Sequence, residues 1–225
     1  MKRILLLFVI FLTSSFLSIN AQVKLGLQAG VNLAEISMDP EQTGFEMGIR
    51  TGFLVGGIVN YNFSPLLSLQ AEPAYIQKGS SVDITSTEDG INIKGEATMT
   101  ANYIDIPVLL KATFGNAQVK PFLLAGASIA FLLEDVKLNI DKVTANGQDV
   151  TNMLPAEQKE ETLKTKSTDF VLNLGGGVMI PVGHADIFIE GQYNLGLTDI
   201  SDEPDDNTEA KNKGIQIKAG VLFPL

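Results

Sequence analysis

VKPFLLAGASIAFLLED (119–135) is apolar almost throughout from Pro121 to Leu133 and stops at Glu134. A membrane-spanning helix needs about 20 apolar residues, so residues 121–133 are too few. A buried helix would fit the length, but Pro121, Gly126, Ile129 and Phe131 oppose one. The upstream flank decides. In NYIDIPVLLKATF (102–114), Ile104, Ile106, Val108, Leu110 and Ala112 share one parity, and Tyr103, Asp105, Pro107, Leu109 and Lys111 the other. Alternation of period two is the mark of a strand. Only GNAQ (115–118) separates the two stretches, a length and composition suited to a hairpin turn at Gly115-Asn116. The quoted stretch therefore reads as the second strand of a hairpin. Its outward face is Leu123, Ala125, Ala127, Ile129 and Phe131; its other face, Phe122, Leu124, Gly126, Ser128 and Ala130, is smaller and mixed.

The same alternation recurs at 23–33, 49–63, 66–78, 169–182, 186–197 and 214–224, which predicts eight strands in all. Each reaches the roughly 9–11 residues that a tilted strand needs to cross a bilayer. Connections near Ser64-Pro65, Gly115-Asn116 and Gly183-His184 are short; those over 34–48, 79–98, 134–167 and 198–213 are long and polar. Strict alternation of short and long connections is how outer-membrane barrels are built, with short periplasmic turns and long extracellular loops. The fold expected is an all-β, eight-stranded antiparallel up-and-down transmembrane barrel. One face of every strand is apolar enough for lipid; the other is polar and rich in the chain's 21 glycines.

An eight-stranded lumen is just wide enough for side chains to fill. Lys24, Arg50, Lys111, Lys120 and Lys218 are expected to share it with Glu72, Asp105 and Glu190. Buried charges persist only when paired, so a structural network of lumenal salt bridges is anticipated. Pro73, Pro107 and Pro181 fall inside predicted strands, where each removes a ladder donor, and local bulges are expected there.

At the N-terminus, Lys2 and Arg3 precede the apolar run Ile4–Leu12, and Ala21 suits a cleavage position. Residues 1–21 read as a secretory signal peptide and 22–225 as the barrel domain, with Gln22 as the mature start. The competing reading is an N-terminal membrane anchor, for which the apolar run is short. The chain has no Cys, which excludes disulfides, thiolate nucleophiles, Cys-type metal sites and a lipidated mature N-terminus. A net charge of −10 argues against nucleic acid as a partner.

YIDIPVLLKATF, VKPFLLAGASIAFLL, FVLNLGGGVMIPVG and FIEGQYNLGLTDI together resemble the outer-membrane β-barrel family common in Bacteroidetes, called PorT-like or outer membrane protein beta-barrel domain. The resemblance spans nearly all of the mature chain and implies an eight-stranded barrel. It implies little about activity. Barrels of this kind end on an aromatic residue, whereas here Phe223 is followed by Pro224 and Leu225.

No catalytic, cofactor or metal site is expected. His184, the single histidine, falls in a predicted turn without local partners. Asp202, Asp205 and Asp206 lack calcium-loop spacing and read as a solvated loop. Gly48, Gly52 and Gly56 read as lumenal positions that leave room for neighbours. Gly175-Gly176-Gly177 lacks the Lys-Ser/Thr of a phosphate loop. PAEQKEETLKTK (155–166) predicts a short helix with Pro155 in its first turn, and the longest extracellular excursion. The function expected is a non-enzymatic outer-membrane scaffold or accessory of an envelope machine. Its partners would be outer-membrane lipid and an envelope protein met through the extracellular loops, and nothing in the chain requires an oligomer. A narrow channel for small solutes and a soluble secreted barrel holding an apolar ligand are the alternatives.

Overall fold

The computed structural model describes residues 23–40, 44–88, 90–115, 118–201 and 209–225. The predicted signal segment with Gln22, Asn116 of one turn, and Asp202, Asp205 and Asp206 lie outside the described residues. Thirteen strands form one antiparallel sheet: β1 (Val23–Asp39), β2 (Phe45–Gly48), β3 (Arg50–Asn62), β4 (Leu67–Ala71), β5 (Ala74–Glu88), β6 (Ile91–Thr113), β7 (Lys120–Leu132), β8 (Val136–Ala145), β9 (Gln148–Asp149), β10 (Glu160–Leu163), β11 (Thr168–Val182), β12 (Ala185–Gly196) and β13 (Glu209–Pro224).

The strands make eight staves. β1 pairs with β13 and β3, β3 with β4 and β5, and both of these with β6. β6 pairs with β7, β7 with β11, β11 with β12, and β12 with β13, which closes the ring. Closure leaves no barrel edge with unpaired backbone groups in lipid, the condition for crossing a bilayer with strands. Among the described residues no helix is long and apolar enough to cross a membrane.

The side-chain parity is inside-out relative to a soluble protein. Leu27, Phe53, Leu123, Leu174, Ile189 and Ile217 are exposed, whereas Gln28, Asn60, Gln70, Glu72, Asn173 and Lys218 are buried. Leu174 is 65% exposed and Gln70 0%, a contrast that only a lipid-facing surface explains. Phe53 and Phe63 lie ten positions apart on the outer face of one stave. At about 3.3 Å per residue and a tilt near 40°, they bracket an apolar band of about 25 Å.

Three expectations need correction. Proline produces no bulge: Glu72 and Pro73 interrupt the third stave, yet Ala71 opposite Val108 and Ala74 opposite Asp105 keep one register. Pro107 and Pro73 each keep the acceptor half of their pairing, because Glu72 N–H donates to Pro107 O (3.1 Å) and Gly57 N–H to Pro73 O (2.9 Å). Pro181 stays in register opposite Asp186 and lies past the last β7–β11 pair. A shift does occur at Glu96/Ala97, on the extracellular part of β6.

The long connections, second, are strands more than loops. β5 and β6 run paired to Glu88 and Ile91, and β1 pairs with β13 as far as Asp39 and Glu209. β8 takes over from β7 along upper β6, and β10 pairs with β8 as β11 does with β7. Roughly half of the 23 residues of β6 exceed what a crossing needs. Third, the helix expected over 155–166 is a single 3-10 turn, Ala156–Gln158, followed by β10.

Candidate functional site: the barrel lumen

Each lumenal side chain is placed by strand parity, and register decides its partner. Glu72 comes from the interrupted third stave, Glu190 from β12 and Lys218 from β13. Lys218 Nζ lies 2.5 Å from Glu72 Oε2 and 2.9 Å from Glu190 Oε1, with all three side chains almost fully buried. Gln192 Nε2 donates to Glu190 Oε1 (2.6 Å) and Glu72 Oε2 (3.3 Å), and Gln70 Nε2 to Glu72 Oε1 (2.5 Å). Gln70 Oε1 in turn accepts from Lys111 Nζ and from Asn60 Nδ2, both at 3.1 Å. The Lys111 ammonium also sits 3.8 Å from the Phe122 ring centroid. A cation over an aromatic face in a desolvated site is stabilised by the ring quadrupole.

Nearer the extracellular end, Lys78 Nζ pairs with Asp169 Oδ2 at 3.1 Å, and Asn212 Nδ2 donates to the same oxygen at 3.0 Å. Asn194 donates to Asn173, whose Nδ2 reaches Ser128 Oγ at 3.2 Å. At the periplasmic rim Lys24 pairs with Asp186 at 2.5 Å.

Of the eight charged residues singled out above, Glu72, Glu190, Lys218 and Lys111 meet in one network. Lys24 joins a separate pair. Asp105 is buried, and its Oδ1 has no hydrogen-bond partner among the described residues. Arg50 is half-buried and donates to the Lys78 carbonyl at 3.4 Å. Lys120 stands half-buried at the periplasmic end of β7 and forms no ion pair with another described residue. Lys78, Asp169 and Asp186 were missed as members. Their parity gave them away, since Lys78 shares a face with Glu72, Asp169 with Asn173, and Asp186 with Glu190.

Apolar layers lie on both sides of the network. Ile58, Leu109, Phe122, Leu124, Met179, Phe188 and Leu222 pack toward the periplasmic end. Leu54, Ile76, Ala101, Tyr103, Ala130 and Val136 pack toward the extracellular end. Phe122 and Leu124 are the large members of the β7 inner face, beside the small Gly126, Ser128 and Ala130. Gly177 makes room for the floor: a Cβ there would stand 2.7 Å from Phe122 Cζ and 2.1 Å from Ile189 O. Gly175, Gly176 and Gly177 lie within β11, so they form no loop. Gly52 and Gly56 sit against the backbone of the third stave, with Gln77 O and Pro73 O at 2.5 and 2.4 Å from an added Cβ. His184 is exposed in the β11–β12 turn.

A closed ring with lipid-facing apolar side chains and a packed polar lumen defines a small transmembrane β-barrel of the bacterial outer membrane. The chain belongs to the family described as outer membrane protein beta-barrel domain, whose model matches residues 18–202. No curated protein matches it. Among solved structures it is similar to the outer membrane protein OprG from Pseudomonas aeruginosa, at 13% identity over 92% of this chain and 98% of that one, with a TM-score of 0.49. It is also similar to Neisserial surface protein A, at 16% identity over 89% and 97% with a TM-score of 0.43. Ail, the attachment invasion locus protein of Yersinia pestis, is similar at 15% identity over 90% and 99%, with a TM-score of 0.39.

Proposed function

We propose that this protein is a rigid membrane-anchored scaffold, neither enzyme nor channel, that presents its extracellular strands to a partner in the cell envelope. One observation carries the reading: the lumen is filled by the Lys218–Glu72–Glu190 network between two apolar layers. A pore needs a continuous wet path, and side chains occupy it here. A soluble barrel for an apolar ligand is disfavoured by the same polar middle layer. The segments IPVLLK (106–111) and KPF (120–122) support a place in the PorT-like branch common in Bacteroidetes. Residues 1–21 would direct export, and the lumenal charges would serve to fix stave register.

Planar-bilayer recording tests the scaffold reading. Purified, folded protein is expected to give no stable conductance steps. Reproducible steps of uniform size, lost in protein denatured before reconstitution, would replace the scaffold with the narrow channel.

A further inference from the structure

Arg50 stands apart from the lumenal ion pairs. It opens β3 opposite Ala34, and beside it the wall parts. β3 pairs with β5 from Leu54 to Gly56 and no further, so residues 51–53 and 77–79 share no ladder. The Arg50 side chain reaches into that gap, where Nη1 donates to Lys78 O at 3.4 Å. Its electrostatic neighbour is Tyr75, whose ring packs 5.5 Å from that of Phe53, an exposed residue of the outer face. No carboxylate among the described residues lies within ion-pair distance of the guanidinium. Lysines elsewhere at the extracellular rim are matched: Lys213 with Glu35 at 3.0 Å and Lys166 with Asp199 at 2.9 Å.

Two amides flank Tyr75 on the same face. Gln77 of β5 stands opposite Asn102 of β6. Tyr75 O–H donates to Asn102 Oδ1 at 2.9 Å and accepts a long bond from Gln77 Nε2 at 3.4 Å. The phenol thus fixes the Asn102 amide by its oxygen and leaves Nδ2 without a hydrogen bond to another described residue. Arg50, Gln77 and Asn102 are all half-buried, so each keeps surface to offer. Their spare groups are donors only, with one positive charge among them. Such a set is completed by an anion, and a guanidinium fork suits the paired oxygens of a phosphate.

The level of this ledge names what covers it. Phe53 bounds the apolar band, and Arg50 lies three residues beyond it. At about 3.3 Å per residue and a tilt near 40°, that is about 8 Å higher, within the headgroup layer of the outer leaflet. Ile49 and Phe53, both exposed, offer apolar surface on either side of Arg50. We propose that Arg50, Gln77 and Asn102 seat the phosphate monoester of an outer-leaflet lipid, with Ile49 and Phe53 against its acyl chain. A monoester presents three free oxygens and about two negative charges to these donors. A diester has fewer of both.

The test is native mass spectrometry of the full folded chain, released from micelles that hold phosphatidic acid, phosphatidylglycerol and phosphatidylcholine in equal amounts. The native protein is expected to retain one phosphatidic acid in preference to the other two. Arg50→Gln should lower that retention about ten- to a hundredfold. Arg50→Lys keeps the charge without the fork and should fall between. Lys213→Gln, at a rim cation that already has its carboxylate, should retain the lipid as the native protein does. Each variant is first required to keep the heat-dependent gel mobility of the folded barrel. Equal retention of phosphatidic acid and phosphatidylglycerol by the native protein overturns the proposal, as does undiminished retention by Arg50→Gln or an equal loss in Lys213→Gln. Displacement of the lipid by millimolar inorganic phosphate would make this a seat for the free anion and overturn the lipid.

Discussion

Lys218 is 2% exposed and faces two carboxylates, so its removal should be felt more than that of any surface charge. A buried ion pair contributes little net stability against a well-packed apolar replacement, but breaking one leaves an uncompensated charge. Lys218→Met strands Glu72 and Glu190 close together and should cost about 3–5 kcal/mol. The further change Glu190→Gln should return part of that loss by removing one of the two stranded charges. Urea unfolding of the barrel in lipid vesicles measures both. A loss under about 1 kcal/mol for Lys218→Met would show that this network does not hold the lumen together. The sequence revealed which residues face inward, because lipid imposes period two without exception along a crossing strand. It did not reveal who pairs with whom. Lys218 meets Glu72 across the lumen from three staves away, and only the register of closure sets that distance. Lys78 and Asp169 escaped notice because they stand at the ends of the apolar alternation, where the lipid signal fades.

At the scale of elements, the extracellular strands were legible as polar connections but not as strands. Once a stave leaves the bilayer its outer face meets water, and no apolar outward parity marks it. Upper β6, KGEATMTAN (94–102), alternates in the opposite sense, with Ala97, Met99 and Ala101 on the inward parity and Lys94, Glu96, Thr98 and Thr100 on the other, and it pairs with β5 and β8. What orders these ends is local. Asp199 Oδ1 accepts from Ala210 N–H (3.0 Å) and Ser201 N–H (3.1 Å), while Oδ2 accepts from Lys166 Nζ (2.9 Å). The Ala210 N–H foremost, with Lys166 and the Ser201 N–H, holds the Asp199 carboxyl below its ordinary value. Because the folded pKa is lowered, the clamp contributes fully above the unfolded value of about 3.9 and is lost as pH falls through the lower folded one. Asp199→Asn should therefore speed amide exchange at Ser201 and Ala210 at neutral pH and leave the membrane staves protected. In the native protein the same amides should loosen only under strongly acidic conditions. Unchanged exchange at both amides in Asp199→Asn would relieve the carboxylate of that role.

For the whole molecule, closure is the property on which every other depends. A ring in which each stave is hydrogen-bonded on both sides has no edge at which unfolding can begin cheaply, and detergent alone does not supply the donors and acceptors to open it. The folded barrel should therefore survive sodium dodecyl sulfate without heat and run as a compact band, then shift to slower migration after boiling. Extraction should place it in the sarkosyl-insoluble membrane fraction. The N-terminal sequence of that band should begin at Gln22, reporting removal of residues 1–21. Barrel closure and processing are read separately by this one experiment. A shifting band that begins at Met1 keeps the barrel and rejects the cleaved signal. A protein recovered from the soluble fraction with no shift would contradict the lipid-facing assignment of Leu27, Leu174 and Ile189, because those exposed side chains would then have to be covered by something other than lipid.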